Sequence, residues 1–394
     1  MKTNPFHSFW MAGYECTDKL NAFGDRVDLL SLTGHLKLLN EDYCGLKQFN
    51  IKTVREGIRW SQVETRPYEY DFSTVSYMMD CAESNGIQQL WDICHFGFPD
   101  DLTPLHPYFP RRFAALCKAF VQFYRSKNKT NELIVTPINE VSFLSWLGGD
   151  VRGTSPFCVG QGWEVKYRLM KAYIEGIAAM KEVDPDVRIL TTEPLISRVA
   201  VPHANDEQVA EAKRIHDYQF QIFDILTGRI CPELGGRPEY LDMLGCNFYY
   251  DNQTEVGTWR ILDWQEKDNP GWRTLSNLFL ELYQRYERPI VLSETSHPGI
   301  DRPLWIKMIG DECVATLLNE IPLWGVCLYP IIDRPDWDNL HIWHKSGLWD
   351  EEELPGHTPK RILYEPSVNA LLKTQALLQK YQPEKFPSPM EIIV

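Results

Sequence analysis

The sequence lacks the features that would assign it to a membrane, secreted or nucleic-acid-binding class. No stretch approaches the roughly 18 uncharged apolar residues of a membrane span, and the N-terminal segment MKTNPFHSFW has no apolar core typical of a secretory signal. The ten cysteines include no CxxC pair, and no basic cluster is interleaved with aromatics at a net charge of −14. We therefore expect a cytoplasmic protein with reduced cysteines and with neither membrane nor nucleic acid as a partner.

Domain linkers are also missing from the sequence. No low-complexity segment, short-period repeat or long charge block marks a boundary. Hydrophobic residues make up 44% and charged residues 24% of the 394 residues, which is ordinary for a globular protein. We predict one domain over residues 1–394, with an irregular Pro-rich tail from about residue 381. The oligomeric state is not indicated.

Short β-rich runs alternate with segments of helical period along the whole chain. The runs span residues 8–15, 53–60, 88–96, 132–140, 187–195, 243–250, 289–296 and 323–331, and the clearest helical segments span 111–126, 165–183 and 271–287. Eight apolar runs separated by helices are typical of the α/β class and predict a single (β/α)8 TIM barrel. A doubly wound open sheet would show a similar alternation, but no GxGxxG follows an early strand, so we favour the barrel.

Polar side chains stand at the C-terminal ends of these runs, where a barrel builds its active site. The fourth and seventh runs end in VTPINEVSF and PIVLSETSHPG, which place Glu140 and Glu294 directly after buried strands. Glutamate is rarely buried without a partner, so this position requires an explanation. The other polar residues at or just beyond strand ends are Glu15, Arg55, Arg59, His95, Asn139, Glu193, Asn247, Tyr249, Asp333, Asp336 and Trp337.

Two glutamates on opposite strands of a barrel suit the hydrolysis of a glycosidic bond. One carboxylic acid protonates the leaving oxygen, and the other attacks the anomeric carbon or activates a water. The two roles require different protonation states, and an arginine beside one carboxylate keeps that group ionised. Arg55 is the candidate for this task, although a buried arginine could also serve only to neutralise a structural acid.

Several strand ends resemble the motifs of glycoside hydrolase family 1, a family of retaining barrel glycosidases. TPINEV is similar to the family's T-[FL]-N-E-P motif, and VLSETS is similar to I-T-E-N-G. The resemblance implies that Glu140 is the acid/base and Glu294 the nucleophile. It also implies that Asn139 binds the sugar 2-hydroxyl and that Arg55, rather than Arg59, contacts the nucleophile.

The remaining motifs map the sugar-binding residues. CHFGFPDDL resembles H-W-D-L-P, LGCNFYY resembles L-G-[IL]-N-Y-Y, YPIIDRPDW resembles W-S-L-L-D-N-F-E-W, and MAGYEC resembles the A-S-Y-Q segment. The resemblance covers residues from about 9 to 340, and it implies substrate-binding roles for Glu15, His95, Asn247, Tyr249, Tyr329, Asp336 and Trp337. For His95, a place in the packed core is the competing interpretation.

Four positions depart from the family pattern. Glu15 replaces a glutamine, Phe96 replaces a tryptophan, Tyr329 replaces a tryptophan and Asp336 replaces a glutamate. These positions would read the hydroxyls of the sugar, so the identity of the substrate does not follow from the resemblance. The chain is therefore similar to a divergent relative of the family.

The resemblance implies a retaining β-glycosidase, similar to β-glucosidases and β-galactosidases, that acts on a small carbohydrate without a metal or other cofactor. A transglycosidase using the same covalent intermediate and a non-catalytic carbohydrate-binding barrel are the alternatives. We expect Glu193 to be a structural cap, because TTEP matches none of the motifs. The HxxH pair His341 and His344 lacks further spaced ligands, so we expect an aromatic loop there instead of a metal site.

Overall fold

The computed structural model describes residues 3–128, 130–266, 268–352 and 359–381. Its central feature is a closed barrel of eight parallel strands. In chain order they are β1 (Trp10–Gly13), β2 (Thr53–Gly57), β3 (Gln88–Cys94), β4 (Ile134–Ile138), β5 (Arg188–Pro194), β6 (Met243–Asn247), β7 (Ile290–Thr295) and β8 (Leu323–Leu328). Each strand pairs with the next, and β8 closes on β1. The predicted (β/α)8 barrel is confirmed, and every predicted run contains its strand.

Helices surround the barrel. They are α1 (Leu29–Leu32), α2 (His35–Leu46), α3 (Trp60–Val63), α4 (Ser73–Asn85), α5 (Phe109–Lys127), α6 (Val141–Gly149), α7 (Gly162–Val183), α8 (Asp206–Asp217), α9 (Gln221–Leu226), α10 (Leu275–Tyr286), α11 (Arg302–Leu318) and α12 (Glu365–Tyr381). The segment predicted as helical from residue 271 begins only at Leu275, because the Thr274 side chain accepts a hydrogen bond from the Asn277 N–H and caps the first turn. In the described part of the chain, no helix is long and apolar enough to cross a membrane.

Other short strands form separate two-stranded sheets outside the barrel. Ser197–Val199 pairs with Gln253–Glu255 in parallel, while Glu64–Arg66 pairs with Glu69–Tyr70 and Trp349–Glu352 pairs with Lys360–Leu363 in antiparallel fashion. The predicted irregular tail lies outside the described residues except for Tyr381, which ends α12.

Side-chain alternation along the strands separates the barrel interior from the layer beneath the helices. One apolar cluster takes a residue from seven of the strands and one from just beyond β8: Met11, Leu90, Ile134, Leu190, Met243, Val291, Cys327 and Tyr329. Their sequence neighbours, such as Trp91, Val135 and Ile189, belong to the larger core shared with the helices. At the matching position β2 carries Arg55 instead of an apolar residue. The candidate active site at the C-terminal ends of the strands, which we call the barrel mouth, is centred on this side chain.

Replacing Leu190 with alanine tests the assignment of the interior cluster. Leu190 is 1% exposed, so its loss leaves a cavity inside a closed barrel that has little freedom to collapse. We expect the free energy of unfolding to fall by about 2–5 kcal/mol in urea titrations followed by fluorescence. The matched control is Leu372→Ala on α12, where the leucine is 40% exposed, and it is expected to cost less than about 1 kcal/mol. Equal losses for the two variants would contradict the assignment.

Candidate active site

Arg55 lies inside the barrel mouth and is 1% exposed. Its Nε and Nη2 bind the two oxygens of Asp92 at 3.0 and 2.8 Å, and its Nη1 donates to Glu294 Oε1 at 2.6 Å. Nη2 also donates to Asn139 Oδ1 at 2.8 Å. Burial works against the charge, but Asp92 and Glu294 outweigh it and hold the pKa of Arg55 well above its usual value. The guanidinium therefore ties β2, β3, β4 and β7 together at one point.

Glu294 is the last residue but one of β7, and it pairs in register with Asn247 on β6. Both of its carboxylate oxygens are held by donors: Arg55 binds Oε1, and the Tyr249 hydroxyl donates to Oε2 at 2.7 Å. The residue is 4% exposed. Such a carboxylate has a fixed orientation at the floor of the mouth, as a nucleophile requires.

Glu140 immediately precedes α6 and adopts a left-handed backbone with φ of 46°. This conformation is uncommon for a residue with a side chain and tends to occur at functional sites. Its N–H donates to the Thr192 carbonyl at 3.0 Å, and its Oε1 accepts from Asn247 Nδ2 at 2.9 Å. Burial, followed by the charge of Glu294, raises the pKa of Glu140 well above its usual value, while the Asn247 hydrogen bond lowers it. The surroundings of Glu140 thus favour its protonated form, whereas Glu294 is paired with a cation.

Two asparagines connect the carboxyl groups. Asn139 Oδ1 accepts from Arg55 and from the Thr192 hydroxyl, the latter at 2.8 Å. Asn247 donates to Glu140, while its Oδ1 accepts from the Ser293 hydroxyl at 2.6 Å. Because each amide oxygen is fixed by donors, each amide nitrogen has a defined direction. The two amide groups are therefore oriented so that they can direct hydrogen bonds to a bound ligand.

His95 is buried and belongs to the hydrogen-bond network that joins Arg55, Asp92, Asn139 and Glu294. Its Nδ1 lies 2.7 Å from Asp92 Oδ2, and its Nε2 lies 3.2 Å from Asn139 Nδ2. Burial works against a charged imidazole, but Asp92 and Glu15 outweigh it and raise the pKa of His95. Asp92 was missed in the sequence analysis; the available signal was an acidic residue inside the apolar run QQLWDICHF, three positions before His95 on β3.

Glu15 and Tyr329 extend the network away from the two catalytic candidates. Glu15 Oε1 accepts from the Thr17 hydroxyl at 2.6 Å and lies 3.5 Å from His95 Nε2. Burial opposes its charge, but His95 outweighs that effect together with Arg334 and Thr17, so the pKa of Glu15 is lowered. The Tyr329 ring stacks on His95 with centroids 5.7 Å apart. Gly13 is required here, because a Cβ at that position would lie 2.0 Å from Tyr329 Cδ2.

Trp337 and Asp336, which lie in the loop after β8, have different surroundings. Trp337 packs against Phe96 and Phe143, with centroids at 5.8 and 6.1 Å, and its buried Nε1 has no hydrogen-bond partner among the described residues. Asp336 accepts from the backbone of its own loop, and its Oδ2 lies 3.2 Å from His344 Nε2. The structure therefore places Trp337 beside the network, whereas the hydrogen bonds of Asp336 remain within residues 336–344.

Other residues considered in the sequence analysis have structural contacts. Arg59 binds Asp28 at 2.5 Å, outside the network, and both oxygens of Glu193 accept from the Ser142 N–H, which caps the start of α6. Glu193 is therefore the cap expected for it.

A group of potential metal ligands lies within the network but is already committed to hydrogen bonds. Ligand atoms of Cys16, Asp92 and His95 lie within 4.8 Å of one another. Both oxygens of Asp92 are bound by Arg55, and one of them is also bound by His95. Burial raises the pKa of the Cys16 thiol well above its usual value, which disfavours the thiolate that a metal needs. The donor set fits an anchor for Arg55 and His95 better than a metal centre.

Comparison with known proteins shows similarity in fold at very low sequence identity. No protein-family model matches the chain, and no curated protein matches it. Among solved structures, the family 1 β-glucosidase of Thermotoga maritima is 12% identical with a TM-score of 0.71, over 95% of this chain and 99% of that one. The β-glycosidase BGL167 is 16% identical with a TM-score of 0.71, over 95% and 97%. An enzyme of Alicyclobacillus herbarius, AHE, is 14% identical with a TM-score of 0.69, over 87% of each chain.

These similarities confirm the resemblance to family 1 at the level of the fold, with identities that mark a divergent relative. The structures that share the fold along nearly the whole chain include β-glucosidases. The barrel mouth described above lies at the C-terminal ends of the strands, which is where active sites of (β/α)8 barrels form.

Stability measurements across pH test the environment of Glu193. Burial raises the pKa of Glu193 to about 7, so between its ordinary value of 4.5 and about 7 the folded protein holds a proton that the unfolded chain has released. This contribution to stability is present at low pH and is lost as pH rises. Glu193→Gln should remove it, making the slope of unfolding free energy against pH less negative by up to about 1.4 kcal/mol per pH unit in that window. The exposed Glu239→Gln is the control, and equal slopes for all three proteins would contradict the assignment.

Proposed function

We propose that the protein is a retaining β-glycosidase and a divergent relative of glycoside hydrolase family 1. The observation that carries the proposal is the pair of buried carboxyl groups with opposite environments: Glu294 is paired with Arg55, and Glu140 has a raised pKa. This is the division of roles that double displacement requires. The substrate is a small carbohydrate with a β-linked leaving group.

In the first step, Glu294 attacks the anomeric carbon and Glu140 gives its proton to the leaving oxygen. The Tyr249 and Arg55 hydrogen bonds fix the direction of attack. The bond from carbon to the leaving group breaks as the bond to the Glu294 carboxylate forms, which yields a covalent glycosyl-enzyme. Formation of that ester removes the negative charge of Glu294, which is the second largest cause of the raised pKa of Glu140.

In the second step, Glu140 therefore has a lower pKa and acts as a base. It removes a proton from water, the water attacks the anomeric carbon on the face left by the first product, and Glu294 is released as the carboxylate. Two inversions give net retention. Asn139, His95 and Glu15 supply hydrogen-bonding groups along the sugar, and Trp337 supplies an aromatic face with a free indole N–H.

Replacement of the proposed nucleophile gives a chemical test of the first step. Glu294→Gly should reduce the turnover of aryl β-glycosides by about 10⁴-fold or more, because the attacking atom is removed. Azide fits the vacated space and should restore part of the rate, giving a glycosyl azide of inverted configuration that is identified by NMR.

The matched control is Glu287→Gly. Glu287 is exposed and has φ of 52°, a backbone that glycine adopts without strain, so this variant should retain wild-type turnover. Full activity in Glu294→Gly, or rescue that gives the retained azide, would rule out the assignment.

The pH profile tests the role of Glu140. Activity is lost on the alkaline side when the acid deprotonates, and the Asn247 hydrogen bond lowers the pKa of that acid. Asn247→Ala should therefore move the alkaline limb of kcat/KM to higher pH, whatever it does to the maximal rate. The exposed Asn277→Ala should leave the limb in place. A limb that moves to lower pH in Asn247→Ala would contradict the role of Glu140 as the acid.

A further inference from the structure

Lys19 is a buried lysine at the barrel mouth with no carboxylate in direct contact among the described residues. It follows β1 and is 1% exposed. Its Nζ lies 3.4 Å from the Gly153 carbonyl and 5.1 Å from the centre of the Trp337 ring, and in the described part of the chain it forms no ion pair within 4.0 Å. Burial lowers the pKa of Lys19 to about 8, so it remains mostly charged at neutral pH. A buried ammonium is costly unless it is paired.

Arg334 is a second cation on the same tryptophan. Its Cζ lies 5.0 Å from the centre of the Trp337 ring, and its Nε is buried without a hydrogen-bond partner among the described residues. Nη1 donates to the Pro335 carbonyl at 3.1 Å. Arg334 lowers the pKa of Lys19 as well, so the two charges repel each other. We refer to Lys19 and Arg334 as the cationic pair.

The cationic pair is continuous with the proposed sugar site. Arg334 Nε lies 3.7 Å from Glu15 Oε2, and Glu15 Oε1 lies 3.5 Å from His95 Nε2. From Glu140 and Glu294 the network passes through Asn139 and His95 to Glu15 and ends at this pair. In the proposed mechanism the anomeric carbon lies between Glu140 and Glu294, so the pair is at the other end of this network from that carbon.

The acids that act on Lys19 lie at a distance from its ammonium rather than in contact with it. Glu15 offsets one member of the cationic pair, and His95 is matched by Asp92. Asp338 and Asp336 raise the pKa of Lys19 more than Glu15 does, but neither forms an ion pair with its Nζ within 4.0 Å. Asp336 is half-buried beside His344, and the exposed Asp338 accepts from the Ala22 N–H. Water screens an exposed charge more than a buried one. Lys19 is thus a buried ammonium with acidic neighbours but with no carboxylate in direct contact among the described residues.

We propose that this end of the site binds a glycone that carries a carboxylate, that is, a β-linked hexuronic acid. The inference rests on the proposed glycosidase function. The carboxylate would supply a direct partner for Lys19 and a hydrogen-bond acceptor for Arg334, while Trp337 packs against the sugar face. A carboxylate adds one negative charge beside the buried Glu15, whereas a dianionic phosphate would add two. A neutral sugar would leave the repulsion within the pair unrelieved.

Matched substrates test the proposal directly. 4-Nitrophenyl β-D-glucuronide differs from the β-D-glucoside only by a carboxylate in place of a hydroxymethyl group, and the galacturonide and galactoside form a second pair. We expect wild-type kcat/KM to favour the acid in at least one pair by about 30-fold or more, the size of a desolvated charge interaction. Lys19→Met and Arg334→Met should each reduce that acid-to-neutral ratio by a similar factor, whereas Lys19→Arg should retain most of it.

The control is Lys213→Met on the exposed face of α8, which should leave the ratio unchanged. Thermal unfolding of each variant verifies that it is folded. Preference for the neutral sugar in both pairs would overturn the carboxylate proposal while the glycosidase function stands. Preference for 4-nitrophenyl 6-phospho-β-D-glucoside over the uronides would also overturn it, in favour of a phosphate.

Calorimetry separates this inference from the proposed function. If no glycoside is turned over, the binding of free glucuronate and galacturonate to the wild type is compared with that of glucose and galactose. Binding of an acid that is lost in Lys19→Met would support the carboxylate site although the glycosidase function had failed. Absence of binding by either acid would overturn the site.

Discussion

Arg55 carries a positive charge inside the barrel, where an unpaired ion would cost several kcal/mol. Its cost is offset because three strands bring acceptors to it: Asp92 on β3, Asn139 after β4 and Glu294 on β7. The buried carboxylates of Asp92 and Glu294 depend on Arg55 in the same way, because each needs a positively charged partner. The position and orientation of Glu294, Asn139 and, through Asp92, His95 therefore all depend on this one residue.

The barrel supplies the asymmetry between the two carboxyl groups. Parallel strands deliver their C-terminal ends to one mouth, so a residue on β2 reaches acceptors that are distant in sequence. Arg55 binds Glu294 directly, while Glu140 is left with a neutral amide donor from Asn247 and a raised pKa. Chemically identical side chains thus have different neighbours, a cation beside Glu294 and a neutral amide beside Glu140, as double displacement requires.

Much of the fold and of the candidate site could be predicted from the sequence. Apolar runs ending in polar residues located all eight strands, and the motifs around Glu140, Glu294 and Arg55 indicated which side chains would converge. Side chains whose importance depends on three-dimensional neighbours could not be found in this way. Asp92 lies within an apolar run. Nothing in the sequence indicates that Lys19 and Arg334 both contact the Trp337 ring. Asp336 binds His344 instead of the network. The start of α10 depended on a cap at Thr274, which periodicity does not detect.

The stereochemistry of turnover tests the central claim most directly. Wild-type protein is incubated with aryl β-glycosides, including the glucoside, galactoside, glucuronide and galacturonide, and the first-formed sugar is followed by NMR before mutarotation. Double displacement at Glu294 predicts that the β-anomer appears first and that the α-anomer accumulates only as the sugar equilibrates. Initial release of the α-anomer would show a single displacement by water and would contradict the assignment of Glu294 as nucleophile.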